Sequence, residues 1–240
     1  MLFRDGKTET LDYRCGLIPE ANPNASLYPL YAAAPPDGGI DLSRRELISK
    51  RRVKKFGDPI LNQDEWSACG GMAMTGALEH EPGIQSLGSL WALNFYFDTQ
   101  DHDQFPGSER PGDPIQGKGT SLIALCREAK RRGLIKGWYN ARTIEEVIIG
   151  LGYYGCPIFG FDWTDGMSNP DHKGLCHPVG RSIGGHAHIG TFVNLRDDLM
   201  GGPNSWPQWN RIMHGFWVMR IPDVENRLKR GGECVFIDKV

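Results

Sequence analysis

Apolar positions along this chain follow two different rhythms. From residue 68 the run ACGGMAMTGALEHE is small and apolar at helical spacing, which predicts a helix over 68–81 with Met72, Ala73 and Leu78 on one buried face. SLGSLWALNFYF predicts a second, well-buried helix, and GSERPGDPIQGKG is a loop by its Gly and Pro content. TSLIALCREAKRRG opens on a capping residue and ends on basic residues and Gly, so a third helix is expected there. TIEEVIIGLG predicts a fourth, started by a Thr143/Glu146 capping box. Beyond Gly155 the runs shorten. CPIFGFDW, HAHIGTFVNL, GFWVMRI and ECVFIDKV are aromatic and β-branched between Gly-rich loops, which is the pattern of strands. A helical half followed by a β half predicts two packed lobes with a cleft between them.

Residues 1–57 lack either rhythm. IPEANPNASLYPLYAAAPPDGG reads as an extended arm over the surface, expected to pack on the back of the lobes, with a path across the cleft as the alternative. SRRELISKRRVKK carries seven basic residues against one acid between Arg44 and Lys55, which predicts a solvated, partly helical connector. An anionic partner or an exposed processing site are the other readings of that stretch.

Composition narrows the classes. At 240 residues, 40% hydrophobic and 23% charged, the chain is expected to fold as one domain or two close lobes. A net charge of −2 gives no overall pull toward nucleic acid or an anionic membrane. No apolar run is long enough to span a bilayer, and the first residues lack the pattern of a secretion signal. The six cysteines form no CxxC pair, so reduced thiols and a cytoplasmic setting are expected.

Chemistry gathers around LNQDEWSACGG. Cys69 sits between small residues where the helical pattern begins, and the free N–H groups of a first helical turn favour a thiolate. A thiolate nucleophile needs a histidine as proton carrier, and that histidine needs an orienting acceptor. His186 in GGHAHIG follows two glycines, and Asn204 in PNSWPQWN offers a side-chain oxygen to an imidazole N–H.

Gln63 six residues before Cys69, Gly-His-Ala at 185–187 and Asn204-Ser205-Trp206, in that order, resemble the papain family of cysteine peptidases over roughly residues 58–222. The resemblance implies an α+β fold of two lobes, a helical one at about 58–152 and an antiparallel β one at about 153–240, with the site in the cleft. It implies Cys69 as nucleophile, His186 as acid/base, Asn204 as orienter and Gln63 as oxyanion donor. Ser67, Ala68, Gly70 and Trp206 would line the substrate site, with Trp206 shielding the His–Asn bond. A polypeptide substrate and no cofactor follow. The chain departs from the family at Trp66, Gly70 and Pro207, where it usually has a cysteine, an aromatic residue and a glycine. No inhibitory segment of the usual size precedes residue 58, and compact microbial or viral members are the better match.

Rival readings remain at this stage. A cell-wall amidohydrolase also uses a Cys–His pair, and a non-enzymatic module, as a component of a larger particle, would keep the fold. His188 is a rival base, two residues along the same strand face. His172, Cys176 and His177, or the HxH pair, offer metal ligands but no convincing fourth partner. Cys15, Cys126, Cys156 and Cys234 read as core or surface thiols. Trp209 and Trp217 read as packing residues or cleft lining.

Overall fold

The computed structural model describes residues 15–20, 49–51, 60–81, 86–112 and 118–240. Most of the arm and connector, and part of the Gly/Pro loop, therefore lie outside the described residues.

Helix α1, Cys69–Glu79, is the centre of the helical lobe, and every one of its residues is buried. The sequence predicts one apolar face, but this helix has no solvent side. Its small residues allow close approach all round: a Cβ on Gly71 would lie 2.6 Å from the Ala92 carbonyl oxygen, and one on Gly76 2.9 Å from Ile189. Helix α2, Gly88–Gln100, packs against it through Ala92, Phe95, Tyr96 and Phe97. The Glu79 carboxylate accepts the Gly88 N–H at 2.8 Å and so holds the start of α2. Helix α3, Leu122–Arg131, starts as expected, with the Ser121 hydroxyl accepting from Ala124 N–H. It ends on Lys130, Arg131 and the left-handed Gly133.

Strand β2, Ile135–Asn140, was not signalled by the sequence, and it falls inside the segment expected to be helical. It is followed by α4, Ile144–Tyr153, whose Thr143/Glu146 capping box is formed in both directions. The remaining elements are β3 (Ile158–Thr164), a helical turn α5 (Asp165–Ser168), β4 (Ser182–Ile189), β5 (Phe192–Asn194), β6 (Leu199–Pro203), β7 (Phe216–Arg220), α6 (Ile221–Lys229) and β8 (Glu233–Lys239). The expected strand over 186–195 is two strands, broken at Gly190. Helix α6 was also unforeseen: it starts at the residue after β7, with Pro222 in its first turn. In the basic connector, Ser49–Arg51 forms a short strand, β1, where a partly helical segment was expected.

Two four-stranded antiparallel sheets result, in the orders β1-β5-β6-β7 and β2-β8-β3-β4. The second sheet draws β2 out of the helical half, so the lobes share a sheet as well as a cleft. One core cluster joins α1 and α3 to Ile158, Ala187, Ile189 and Val235 of that sheet. Another fills the β lobe around Phe159, Trp163, Trp206 and Trp217.

Gly150 shows which force dominates in α4. Replacing a mid-helix glycine by alanine ordinarily gains up to about 1 kcal/mol. Here a Cβ would lie 2.3 Å from Phe236 Cζ, on a ring fully enclosed by core. Overpacking of that kind costs about 1–3 kcal/mol. Gly150→Ala should therefore lower the midpoint of thermal unfolding, despite its better helix propensity.

Candidate active site

The end of α1 and the middle of β4 meet at the lobe boundary. Cys69 is the first residue of α1, and the Ala187 N–H points at its sulfur at 3.5 Å. His186 is the residue before Ala187 on β4. Its register partner on β3 is Phe161. The His186 Nε2–H donates to Asn204 Oδ1 at 2.7 Å, and the same oxygen accepts the Ser205 N–H at 2.7 Å. Since that oxygen can only accept, the imidazole proton sits on Nε2 and Nδ1 carries the lone pair. Nδ1 is buried with no hydrogen-bond partner among the described residues. A buried lone-pair nitrogen of this kind can accept a proton.

Trp206 stacks on His186 with centroids 4.2 Å apart and planes 19° from parallel, and Trp163 meets the ring edge-on at 4.8 Å. These indoles cover the imidazole. His188, the rival base, lies on the same strand face but within a box of Phe159, Phe161, Trp163 and Trp217. Neither of its ring nitrogens has a partner, and it holds no contact to an orienting carboxamide.

Gln63 is fully buried. Its side-chain Nε2 donates to the Trp66 carbonyl at 2.6 Å, its Oε1 accepts from the Ser205 hydroxyl, and its backbone N–H reaches the Ser205 carbonyl at 3.1 Å. Thus Gln63 ties the segment leading into α1 to the loop that carries Asn204.

Ser67, Ala68 and Gly70, expected to line the substrate site, each have structural contacts. The Ser67 hydroxyl and N–H are both bonded to the Glu109 carboxylate, at 3.2 and 3.0 Å. Ala68 packs with Met72, Ala92 and Tyr96 in a small core. Gly70 is small because a Cβ there would lie 2.6 Å from Leu125 on α3. The glycine makes room for that helix. Glu109 itself gave no signal, since a carboxylate in a Gly/Pro loop reads as solvated. It is fully buried, also accepts from Tyr96 OH at 2.6 Å, and receives the backbone of the segment before Cys69. Trp209 and Trp217 are packing residues whose indole N–H groups bond to the Ser168 and Ile189 carbonyls.

The N-terminal arm is not on the back of the lobes at residues 15–20. Leu17 forms a parallel bridge to Thr120 and an antiparallel one to Gly185, the residue before His186. The bonds are Leu17 N–H to Gly185 O at 2.8 Å, Ile18 N–H to Thr120 O at 2.9 Å, and Thr120 N–H to Gly16 O at 2.9 Å. Cβ atoms are excluded along this path: at Gly16 one would fall 1.8 Å from the Ser67 carbonyl oxygen, and at Gly119 one would fall 2.0 Å from the Gly16 oxygen. The segment runs as a middle strand between two rails, Thr120 and Gly185.

Covering the site changes its acid–base character. Burial raises the Cys69 thiol above its ordinary value, against the N–H groups of Ala187 and Gly16, which favour the thiolate. Burial also lowers His186 to about 4, against the bond to Asn204. In this form a neutral thiol and neutral imidazole are favoured over the ion pair, because the arm and the indoles exclude water.

A cavity of about 390 Å³ opens beside the arm, lined by Leu17, Gly160, Gly185, Arg227 and Glu233 among others. Leu17 and Leu122 close over Gly160 together with the Glu233 carboxylate. His177 is engaged by Asp171 at 2.9 Å, and no group of three His, Cys, Asp or Glu side chains among the described residues could hold a metal ion. Cys15, Cys69, Cys126, Cys176 and Cys234 are free thiols. No helix among the described residues is long and apolar enough to cross a membrane.

This arrangement of a helical lobe, an antiparallel β lobe and a cysteine helix facing a histidine strand is the two-lobe fold of papain-like cysteine proteases. Xylellain, a cysteine protease from Xylella fastidiosa, superimposes with a TM-score of 0.66 at 11% identity, over 94% of this chain and 96% of that one. Digestive procathepsin L 3 of Tenebrio molitor larval midgut matches with a TM-score of 0.56 at 13% identity, over 82% and 72% of the two chains. Procathepsin B S9 from Trypanosoma congolense gives 0.51 at 12% identity, over 95% and 87%. No family profile and no curated protein sequence matches this chain.

Glu233 supplies a pH test of the covered form. Burial, and then the arm's Glu20, raise its carboxyl from 4.5 to about 7. The folded chain thus holds a proton that the unfolded chain releases above about 4.5. Its stabilising contribution is fully present below that pH and is lost as pH rises through about 7. Glu233→Gln, which stays neutral, should reduce the fall in thermal midpoint between pH 5 and pH 8.

Proposed function

We propose that the chain is a papain-like cysteine endopeptidase, held in a closed form by its own N-terminal arm. The observation that carries this reading is the hydrogen bond from His186 Nε2 to Asn204 Oδ1, on an imidazole whose other nitrogen is unbonded and whose strand neighbour, Ala187, touches Cys69 Sγ. Cys69 would pass its proton to His186 Nδ1 and attack a peptide carbonyl carbon. Electrons move from sulfur to carbon and onto the carbonyl oxygen. The oxyanion would take hydrogen bonds from the Cys69 N–H and the Gln63 carboxamide. Collapse of the tetrahedral intermediate expels the amine, protonated by His186, and leaves a thioester. Water then attacks the thioester with His186 as base, restoring the thiol. Asn204 keeps the imidazole in the Nε2–H tautomer, and Trp206 keeps water from the bond between them.

The arm does not present itself as a substrate. The N–H that meets Cys69 Sγ is that of Ala187 on β4, and no carbonyl carbon of the arm is placed against the sulfur among the described residues. Chain connectivity gives those arm contacts a high effective concentration, which favours occupancy of the groove over a free peptide. The rival amidohydrolase reading has no supporting observation of its own.

Activity should therefore appear on removing the arm. A chain beginning at Phe56 is expected to hydrolyse unstructured peptide substrates faster than the full chain, and Cys69→Ser in the same shortened chain should abolish turnover. An inactive but folded shortened chain sinks the peptidase reading, and equal rates for the two lengths sink the closed-form reading.

Gln63 is tested separately. Within the shortened chain, Gln63→Ala should lower kcat about 10²-fold. Because Gln63 also braces Ser205 and Trp66, the comparison requires equal thermal midpoints or a correction for the folded fraction.

A further inference from the structure

One sheet face beside the groove has a bare floor with a covered cation next to it. Gly160 on β3 is paired with Ala187 on β4 and with Glu233 on β8, and Asp162 is paired with Gly185. Residues directly opposite each other in a sheet share a face, as do residues two apart along a strand, so Gly160, Asp162, Gly185 and Glu233 belong to one side. The two glycines leave that side without side chains where the arm crosses it. Leu17 lies on them: a Cβ at Gly160 would fall 2.6 Å from Leu17 Cδ2, and one at Gly185 would fall 2.2 Å from the Leu17 oxygen. The Leu17 N–H donates to the Gly185 oxygen at 2.8 Å, which fixes the place of this residue in the groove. A segment that replaced the arm along the same backbone bonds would set one side chain on the same floor. Leucine does not fill the space, because the cavity of about 390 Å³ opens beside it.

Arg227, on α6, lines that cavity and is only 5% exposed. Its Nε has no hydrogen-bond partner among the described residues, and its Nη1 reaches the Asp162 carbonyl at 3.4 Å, a long bond. No carboxylate forms an ion pair with it among the described residues. A covered guanidinium without a counter-charge is costly, and a carboxylate offers it both the charge and two parallel hydrogen bonds. The acids already at the cavity do not fill that role. The Asp162 carboxylate accepts from the Ser182 hydroxyl, and the Glu233 carboxyl is raised to about 7 by burial and then by Glu20. Glu233 Oε2 is itself buried and unbonded, so below that pH the cavity holds an unpaired cation and a neutral carboxyl.

We propose that Arg227 makes this part of the groove a receptor for an acidic side chain, and that the residue taking Leu17's place in a bound peptide is by preference glutamate. The unbranched glutamate stem lies on the glycine floor and carries its carboxylate past the reach of leucine. The arm, with leucine there, holds the groove by its backbone and leaves the cation unused. An acidic peptide thus has one interaction with which to compete against a tethered arm. The inference rests on the peptidase reading for the identity of the incoming peptide, and not for the anion site itself.

The full chain provides its own binding assay, because position 17 is already seated. Leu17→Glu and Leu17→Gln differ in charge and hardly in shape, so comparing them cancels the lost leucine packing. At pH 6 the amides of residues 17 and 18 should exchange hydrogen about tenfold more slowly with glutamate than with glutamine. Arg227→Gln should erase that difference, and Arg227→Lys, which keeps the charge without the planar fork, should shrink it. Arg227→Lys carries the test if Arg227→Gln does not fold. Equal exchange of the two position-17 variants, or a difference untouched by the Arg227 variants, overturns the proposal. Gly16→Leu, whose side chain collides with the Ser67 carbonyl, should free the groove within the full chain. Given a randomised peptide library, that variant should prefer glutamate to glutamine about tenfold in kcat/KM at one fixed position. No acidic preference at any position also overturns the proposal. If exchange slows as expected, but the Gly16→Leu chain cleaves nothing while its arm amides exchange freely, the peptidase reading falls and the anion site stands.

Discussion

Everything at the site depends on how closely α1 can press against β4. A helix whose residues are all buried has no solvent face to orient it, so small side chains decide its distance from each neighbour. Gly76 against Ile189 and Ala187 against the Cys69 sulfur are two points on the same contact. Larger residues at either point would separate the lobes by a side chain's thickness. The thiol would then lose the strand that carries His186.

Water exclusion is the second consequence of that closeness. A thiol and an imidazole in a dry pocket prefer to be neutral, which is why His186 is lowered to about 4 and the Cys69 thiol is raised. The N–H groups directed at the sulfur work against burial but do not overcome it while the arm is in place. The arm thus runs beside the Cys69 thiol, and burial favours the neutral form of that thiol.

What was legible in the sequence was what local chemistry specifies. Ser121 and Thr143 announced their helices through capping hydrogen bonds that need only neighbours a turn away. Cys69, His186 and Asn204 were legible as residue types that only make sense together, and the structure brings them to one boundary. Long-range pairings were harder to read. Ile135–Asn140 has neither strict alternation nor a flanking turn signal, and becomes a strand because β8 lies open beside it. Ser49–Arg51 is too charged to read as a strand and is one by backbone pairing with β5. The position of the arm was equally hidden, because its bonds at Leu17 and Ile18 are made by main-chain groups common to nearly every residue. The packing need at Gly70 was hidden for a related reason: the residue that needs the space, Leu125, lies 55 positions away (125 − 70).

Glu109 has a reach that its place in a loop conceals. It receives Ser67 on one side of the groove and Tyr96 on the other, and the Tyr96 hydroxyl in turn accepts the Gly119 N–H at 2.9 Å. Ser67 and Gly119 are the two surfaces between which Gly16 is confined. The walls of the groove are therefore joined behind the site by one carboxylate and one phenol, like the spring of a clothes peg set behind its jaws. The grip of this protein on its own arm is set from inside the helical lobe, at Glu109 and Tyr96.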